Sequence, residues 1–139
     1  MFNAYLNFNG NCGEAFKFYE RCFGGKIDFM QTFGESPMKD SVRPDEYRLV
    51  MHVTLKVDGD TLMGSDAPPD RYEAPQGIHV SITPATYTDG ERIFRELSAG
   101  GSVAMPFQKT FWSAGFGMTV DRFGIPWMVN CQEAPTAQV

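Results

Sequence analysis

Two histidines are the side chains best suited to chemistry in this chain. His52 lies in the run Leu49 to Val57, on the same side as Thr54, and His79 sits in Ile78 to Ile82. Near neutral pH an imidazole can take a proton, give one, or bind a metal through an unprotonated nitrogen. Two readings of His52 stand: a general base or hydrogen-bond donor facing a ligand, or a ring satisfied by a neighbouring hydroxyl or carbonyl. A pairing of His52 with His79 on one small ligand is open as well. Trp112, Phe116 and Trp127 could stack on a flat ligand or fill a core. Asp66 could cap a turn or touch substrate. Cys131 could be a nucleophile or a small hydrophobe. Lys39, Arg43 and Arg48 could meet an anionic substrate or simply be solvated surface.

The totals bound what these residues can serve. The chain has 139 residues, 42% of them hydrophobic and 21% charged, which suits one compact domain or two small fused modules. Twelve Phe and eight Met give a core of aromatic bulk and adaptable filler. The net charge of -5 argues against a nucleic-acid partner, because phosphate binding needs a basic surface. No apolar run is long enough for a bilayer-spanning helix. The opening MFNAYLNFNG lacks the basic and apolar regions of a signal peptide. Three cysteines, Cys12, Cys22 and Cys131, show no C-x-x-C spacing. Reduced thiols and a cytoplasmic location are therefore expected.

The elements repeat. Ala4 to Phe8 alternates as a half-buried strand, and Asn11 to Glu14 reads as a capping box. Ala15, Phe16, Tyr19, Cys22 and Phe23 give a helical stripe that Gly24-Gly25 ends. The second half matches it: strand Ile78 to Ile82, capping box Thr88 to Glu91, stripe Ile93, Phe94 and Leu97, stop Gly100-Gly101. Strands follow each helix. Ile27 to Phe33 is one, residues 34–46 form a polar mobile loop, and Leu49 to Val57 turns at Asp58-Gly59 into Thr61 to Ser65. A second hairpin turns at Asp121 to Gly124, and the tail after Cys131 is expected to fray.

This pattern predicts an α+β fold of two tandem βαβββ modules, a curled mixed sheet around a cleft. The first module covers 1–66, a linker 67–77 and the second module 78–139, making one compact domain overall. Leu6, Phe8, Met51, Val53, Leu55, Val80 and Ile82 would face the helices. Tyr5, Asn7, His52, Thr54, Met63, His79, Ser81 and Met128 would face the other way, and that face is too polar for a sealed core.

Three stretches, YLNFNGNCGEAFKFYERCFGG, MHVTLKVDGDTLMGSDA and FWSAGFGMTVDRFGIPWMVN, resemble the PhnB-like subgroup of the vicinal oxygen chelate superfamily, which holds glyoxalase I, bleomycin-resistance proteins and extradiol dioxygenases. The resemblance implies the fold described above and a homodimer. In metal-using members, His or Glu ligands come from four strands. Carried over, His79 fits the fifth strand, and Tyr5, or Asn3 in a slipped register, stands on the first. The fourth and eighth strands place a Glu four residues past the turn glycine; here those positions are Met63 and Met128. A thioether serves a hard divalent cation poorly, and one His with two Met suits Cu(I) better. Asn130 could offer a weak carbonyl ligand.

The reading is thus a protein that binds a small organic molecule in the sheet cleft, with His52 and His79 as its acid–base candidates. Tyr5, Asn7, Thr54, Met63, Ser81, Trp112, Met128 and Asn130 would contact the ligand. No cofactor is expected. The alternative is a metal-dependent lyase, isomerase or dioxygenase that uses His79 with non-standard ligands. Many relatives carry the label demethylubiquinone methyltransferase. A methyltransferase using S-adenosylmethionine would usually show a strand, a Gly-rich turn and a helix, whereas both glycine pairs here follow helices.

Overall fold

A computed structural model describes residues 1–133. The chain falls into two compact units, residues 1–73 and 74–139. The first unit runs β1 (Ala4–Phe8), α1 (Cys12–Phe23), β2 (Lys26–Thr32), β3 (Val50–Val57) and β4 (Asp60–Asp66). Its sheet has the order β1-β4-β3-β2, with β1 parallel to β4 and the other pairs antiparallel. The second unit runs β5 (Val80–Ile82), α2 (Tyr87–Ser98), β6 (Ser102–Gln108), β7 (Phe116–Val120) and β8 (Pro126–Asn130). Its order, β5-β8-β7-β6, repeats the first.

One face of each sheet packs under the helix of its unit. The apolar stripe of α1 buries Ala15, Phe16, Tyr19 and Cys22, and Phe18 as well. Leu6, Phe8, Val53 and Leu55 are buried, and Phe8 meets Phe16 edge-on at 5.9 Å. Met51, Val80 and Ile82 are only half-buried. Full burial of a side chain of this size contributes roughly 1.5–3 kcal/mol, so these aromatic contacts dominate the first core. In the second unit Phe94, Leu97, Ile125, Trp127 and Val129 are buried.

Several local expectations need correction. Asn11 is the N-cap of α1 but makes no side-chain cap bond. A carboxylate from far along the chain does that work: Asp66 Oδ1 accepts from the Gly10 and Cys12 N–H groups, and Oδ2 accepts from Val50 N–H. In α2 the cap is Thr86, two residues before the expected box, and its hydroxyl accepts from Asp89 N–H. Residues 34–46, expected as a polar loop, hold most of three short 3-10 turns (Phe33–Glu35, Lys39–Ser41 and Pro44–Glu46), the first closed by a reciprocal Thr32–Glu35 capping box. Its hydrogen bonds hold the Glu35 carboxyl below the usual carboxylate range. The fifth strand starts at Val80, so His79 precedes it. The expected fraying of the tail falls mostly on 134–139, outside the described residues.

Each glycine pair divides its labour. Gly24 caps α1 at φ 69°, a left-handed conformation that costs glycine little. Gly25 lets the chain pass tightly over β3: a Cβ there would lie 2.5 Å from the Lys56 carbonyl oxygen. A Cβ at Gly101 would come closer still to the Val120 carbonyl oxygen on β7.

Candidate functional site

The helix-free faces of the two sheets carry nearly all the candidate residues. In the first sheet, register places Tyr5 opposite Met63, Met63 opposite Thr54, and Thr54 opposite Phe29. These four residues form one row across four strands. In the second sheet the same construction gives Ser81, Met128, Met118 and Met105. The repeat therefore holds residue by residue: Tyr5 corresponds to Ser81, Met63 to Met128, Thr54 to Met118 and Phe29 to Met105. A bulge between Ile27 and Phe29, matched by one between Val103 and Met105, turns Phe29 and Met105 onto these faces.

In the first sheet the groups join into a hydrogen-bonded chain. The Tyr5 hydroxyl lies 3.3 Å from His52 Nδ1, and the Thr54 hydroxyl lies 3.0 Å from Nε2. A neutral imidazole donates from one nitrogen and accepts at the other, and each hydroxyl can play either part. The Tyr5 ring tilts against His52 at 5.7 Å and Phe29 does so from the other side at 6.2 Å. Tyr5 is 46% exposed while His52 is half-buried. The hydroxyl of Tyr5 is therefore the solvent-facing end of the chain. Asn7 and Ser65 pair at the next step along β1 and β4, 3.5 Å apart. Both nitrogens of His52 thus have hydroxyl partners, as one of its two sequence readings expects, and one of those partners belongs to the exposed Tyr5.

The second sheet offers different chemistry. Phe116 stands where His52 stands in the first, two residues from Met118 as His52 is from Thr54. Trp112 meets Phe116 edge-on at 5.4 Å, and Phe111 meets Trp112 at 4.8 Å. Phe111, Trp112 and Met105 are exposed. Asn130 lies opposite Phe116, and its Oδ1 is buried without a hydrogen-bond partner among the described residues. His79 is exposed ahead of β5, and Ser81 is exposed within it. His52 belongs to the first unit and His79 to the second.

Other candidates have structural work. Trp127 is buried, and its Nε1–H donates to Asp121 Oδ2 at 2.8 Å. Asp121 Oδ1 accepts from the Phe123 and Ile125 N–H groups, closing the β7–β8 turn. Asp66 is the cap already described. Lys39 lies over the Tyr47 ring, Arg43 pairs with Asp45 and Glu46, and Arg48 donates to the Gly10 carbonyl. Cys131 is buried and its Sγ lies 3.5 Å from the Thr86 carbonyl oxygen. Burial, then the Glu133 and Asp89 charges, push its thiol above the usual range. That works against a nucleophilic role.

Sequence reasoning missed Phe29, Met105 and Met118. Met118 was within reach, since it lies at even spacing from Phe116 on one strand. Phe29 and Met105 were not, because a bulge reverses the alternation before each.

The metal that the sequence resemblance implies can be tested against these donors. Met63 and Met128 occupy the two carboxylate positions at matching register, and Tyr5 stands at the first-strand position. Two thioethers and a phenol do not suit a hard divalent cation. Among the described residues, no three His, Cys, Asp or Glu side chains gather as a metal would require. The donors present do not fit the hard divalent ion that the resemblance implies.

Comparison with known proteins agrees with this geometry. Residues 1–130 match the family model described as 3-demethylubiquinone-9 3-methyltransferase. Protein YjdN of Escherichia coli K12 is 34% identical, over 96% of this chain and 97% of its own. Protein PA1353 of Pseudomonas aeruginosa is 44% identical with a TM-score of 0.86, over 94% of this chain and 96% of its own. A PhnB protein from Bacillus cereus shares the fold at a TM-score of 0.78 and 23% identity, over 94% and 98% of the two chains. A glyoxylase/bleomycin resistance protein/dioxygenase domain from Frankia shares it at a TM-score of 0.61 and 12% identity, over 95% and 94%. With that match over nearly its whole length, the chain belongs to the 3-demethylubiquinone-9 3-methyltransferase family, and it shares its fold with the PhnB protein and the glyoxylase/bleomycin resistance protein/dioxygenase domain.

Proposed function

We propose that the protein binds a small organic molecule on the helix-free faces of its sheets, without the superfamily's usual catalytic metal. The observation that carries this reading is the Tyr5–His52–Thr54 chain, which ends in an exposed hydroxyl on an open sheet face. Such a chain can donate to or accept from a ligand, and His52 can move a proton along it. Asn7 and Met63 flank it. Trp112, Met128, Asn130 and Ser81 offer a second, mostly apolar surface, with His79 just ahead of it. Met63 and Met128 support the metal-free part of the reading by their donor chemistry. The protein is proposed to work as a cytoplasmic homodimer, in line with the superfamily resemblance and with cysteines that show no C-x-x-C spacing.

The test is elemental mass spectrometry of untagged, dialysed protein, followed by a thermal-shift screen of small phenols, quinones and carboxylic acids. Substoichiometric metal and a hit that weakens in Tyr5→Phe are expected. Zn, Ni, Mn or Fe near one per chain would overturn the metal-free reading.

A further inference from the structure

We infer that the helix-free face of the second sheet takes a neutral, planar aromatic molecule bearing a hydrogen-bond donor, and that Asn130 is the residue that reads the donor. The inference rests on the proposed binding role of that face.

Asn130 sits at the end of β8, on the side away from α2, between buried Val129 and Cys131. Its Oδ1 is shielded from solvent and has no partner among the described residues. An amide oxygen has two lone pairs, and a buried acceptor left unpaired is costly. Nearly all such atoms in native proteins are paired, so an exception beside a ligand face is satisfied when the amide turns toward a donor from outside.

The surroundings say what kind of molecule brings that donor. Phe116 lies across from Asn130, and Trp112 stands edge-on to Phe116. One step along the strands lie Met128, Met118 and Met105 in a row. Aromatic edges and thioethers both favour a flat π system, and methionine adapts to its outline. Asn130, Phe116 and Gln108 at one register step, and Ser81, Met128, Met118 and Met105 at the next, are all uncharged. A charged ligand would find no counter-ion among them, so a neutral arene with an O–H or N–H fits best.

Calorimetry of the full chain with 2-naphthol and 2-methoxynaphthalene tests this, since the two share a ring system and only the first donates. Wild type should bind 2-naphthol about tenfold more tightly, the worth of one good hydrogen bond. Asn130→Asp keeps an acceptor oxygen and should keep the preference. Asn130→Leu should bind both compounds equally; if it fails to fold by circular dichroism, Asn130→Ala takes its place. Equal affinity in wild type, abolished by Trp112→Ala, would overturn the role of Asn130 and leave the face as a binding surface. A preference for the methoxy compound would also overturn it. No heat from either compound would overturn the inference and arene binding on this face together, without bearing on the Tyr5–His52–Thr54 chain.

Discussion

His52 on β3 and Phe116 on β7 occupy the same place in the two repeated sheets, one register step beyond the matched pair Thr54 and Met118. The fold thus accepts an imidazole or a phenyl ring at this position. The first module uses it for a hydrogen-bonded chain and the second for an aromatic wall. His52→Phe should therefore fold, with stability within about 1 kcal/mol of wild type, because a half-buried site gains an apolar ring while Tyr5 and Thr54 keep access to water. Any ligand found for the first sheet should bind at least tenfold more weakly. A loss of several kcal/mol in chemical denaturation would show that His52 is chiefly structural.

Gly25 and Gly101 should be intolerant of any side chain. A methyl at Gly25 would press on the Lys56 carbonyl, and one at Gly101 on the Val120 carbonyl, both backbone atoms of a strand that cannot swing aside. Each Gly→Ala change should cost about 1–3 kcal/mol or more, the usual range for a forced core overlap. Gly59→Ala should cost little, since a Cβ there meets nothing within 4 Å. Urea denaturation of the three variants decides this. A tolerant Gly25→Ala would mean that β3 can shift away.

Those glycines also show where the sequence could be read and where it could not. Ala15, Phe16, Tyr19 and Cys22 stand out as a helix face because burial and period coincide within one turn of chain. Gly24 reads as a helix stop for an equally local reason. The second glycine of each pair reads the same way, yet it answers to a strand 31 residues away for the first pair (Lys56 against Gly25). Asp66 is the stronger case. Its partners Gly10, Cys12 and Val50 are 56, 54 and 16 residues distant, so nothing local marks it as the cap of α1. Asn11 and Glu14 supply the local signature of a cap that is not made. The Tyr5–His52 contact was legible only as a shared face, since parallel pairing of β1 with β4 sets which tyrosine meets which histidine.

The thiol of Cys12 makes stability depend on alkaline pH. Burial, then the Asp66 charge, push it well above the usual range. In the unfolded chain a cysteine ionises near pH 8.5. Above that pH the unfolded state has lost a proton that the folded state retains, so unfolding gains and stability falls as pH rises. Cys131, raised by burial and its acidic neighbours, acts in the same direction. For Cys12 the contribution is fully present below about pH 8 and declines by up to ~1.4 kcal/mol per pH unit above it. Denaturation at pH 7, 8.5 and 9.5 should show the decline, and Cys12→Ala should flatten it. In native protein at pH 8, a disulfide reagent should label Cys12 no faster than global unfolding exposes it.

S-adenosylmethionine should not bind measurably, whatever the family's description. Nucleotide-type cofactors commonly use free N–H groups at a helix N-terminus after a glycine-rich turn. Here the turn before α1 is closed by the protein itself: the Gly10 and Cys12 N–H groups both donate to Asp66. At α2 the Tyr87 N–H donates to Glu133 and the Asp89 N–H to Thr86. Both helix starts thus carry side-chain acceptors, acidic at three of the four N–H groups, so these groups are not open to a cofactor's carboxylate or other acceptor atoms. Neither sheet has the doubly wound parallel order that such cofactors accompany, since each contains one parallel pair and two antiparallel ones. Titration calorimetry with millimolar S-adenosylmethionine should therefore give only heat of dilution. A dissociation constant below about 0.1 mM would mean that Asp66 releases the α1 terminus, and Asp66→Asn should then tighten the binding further.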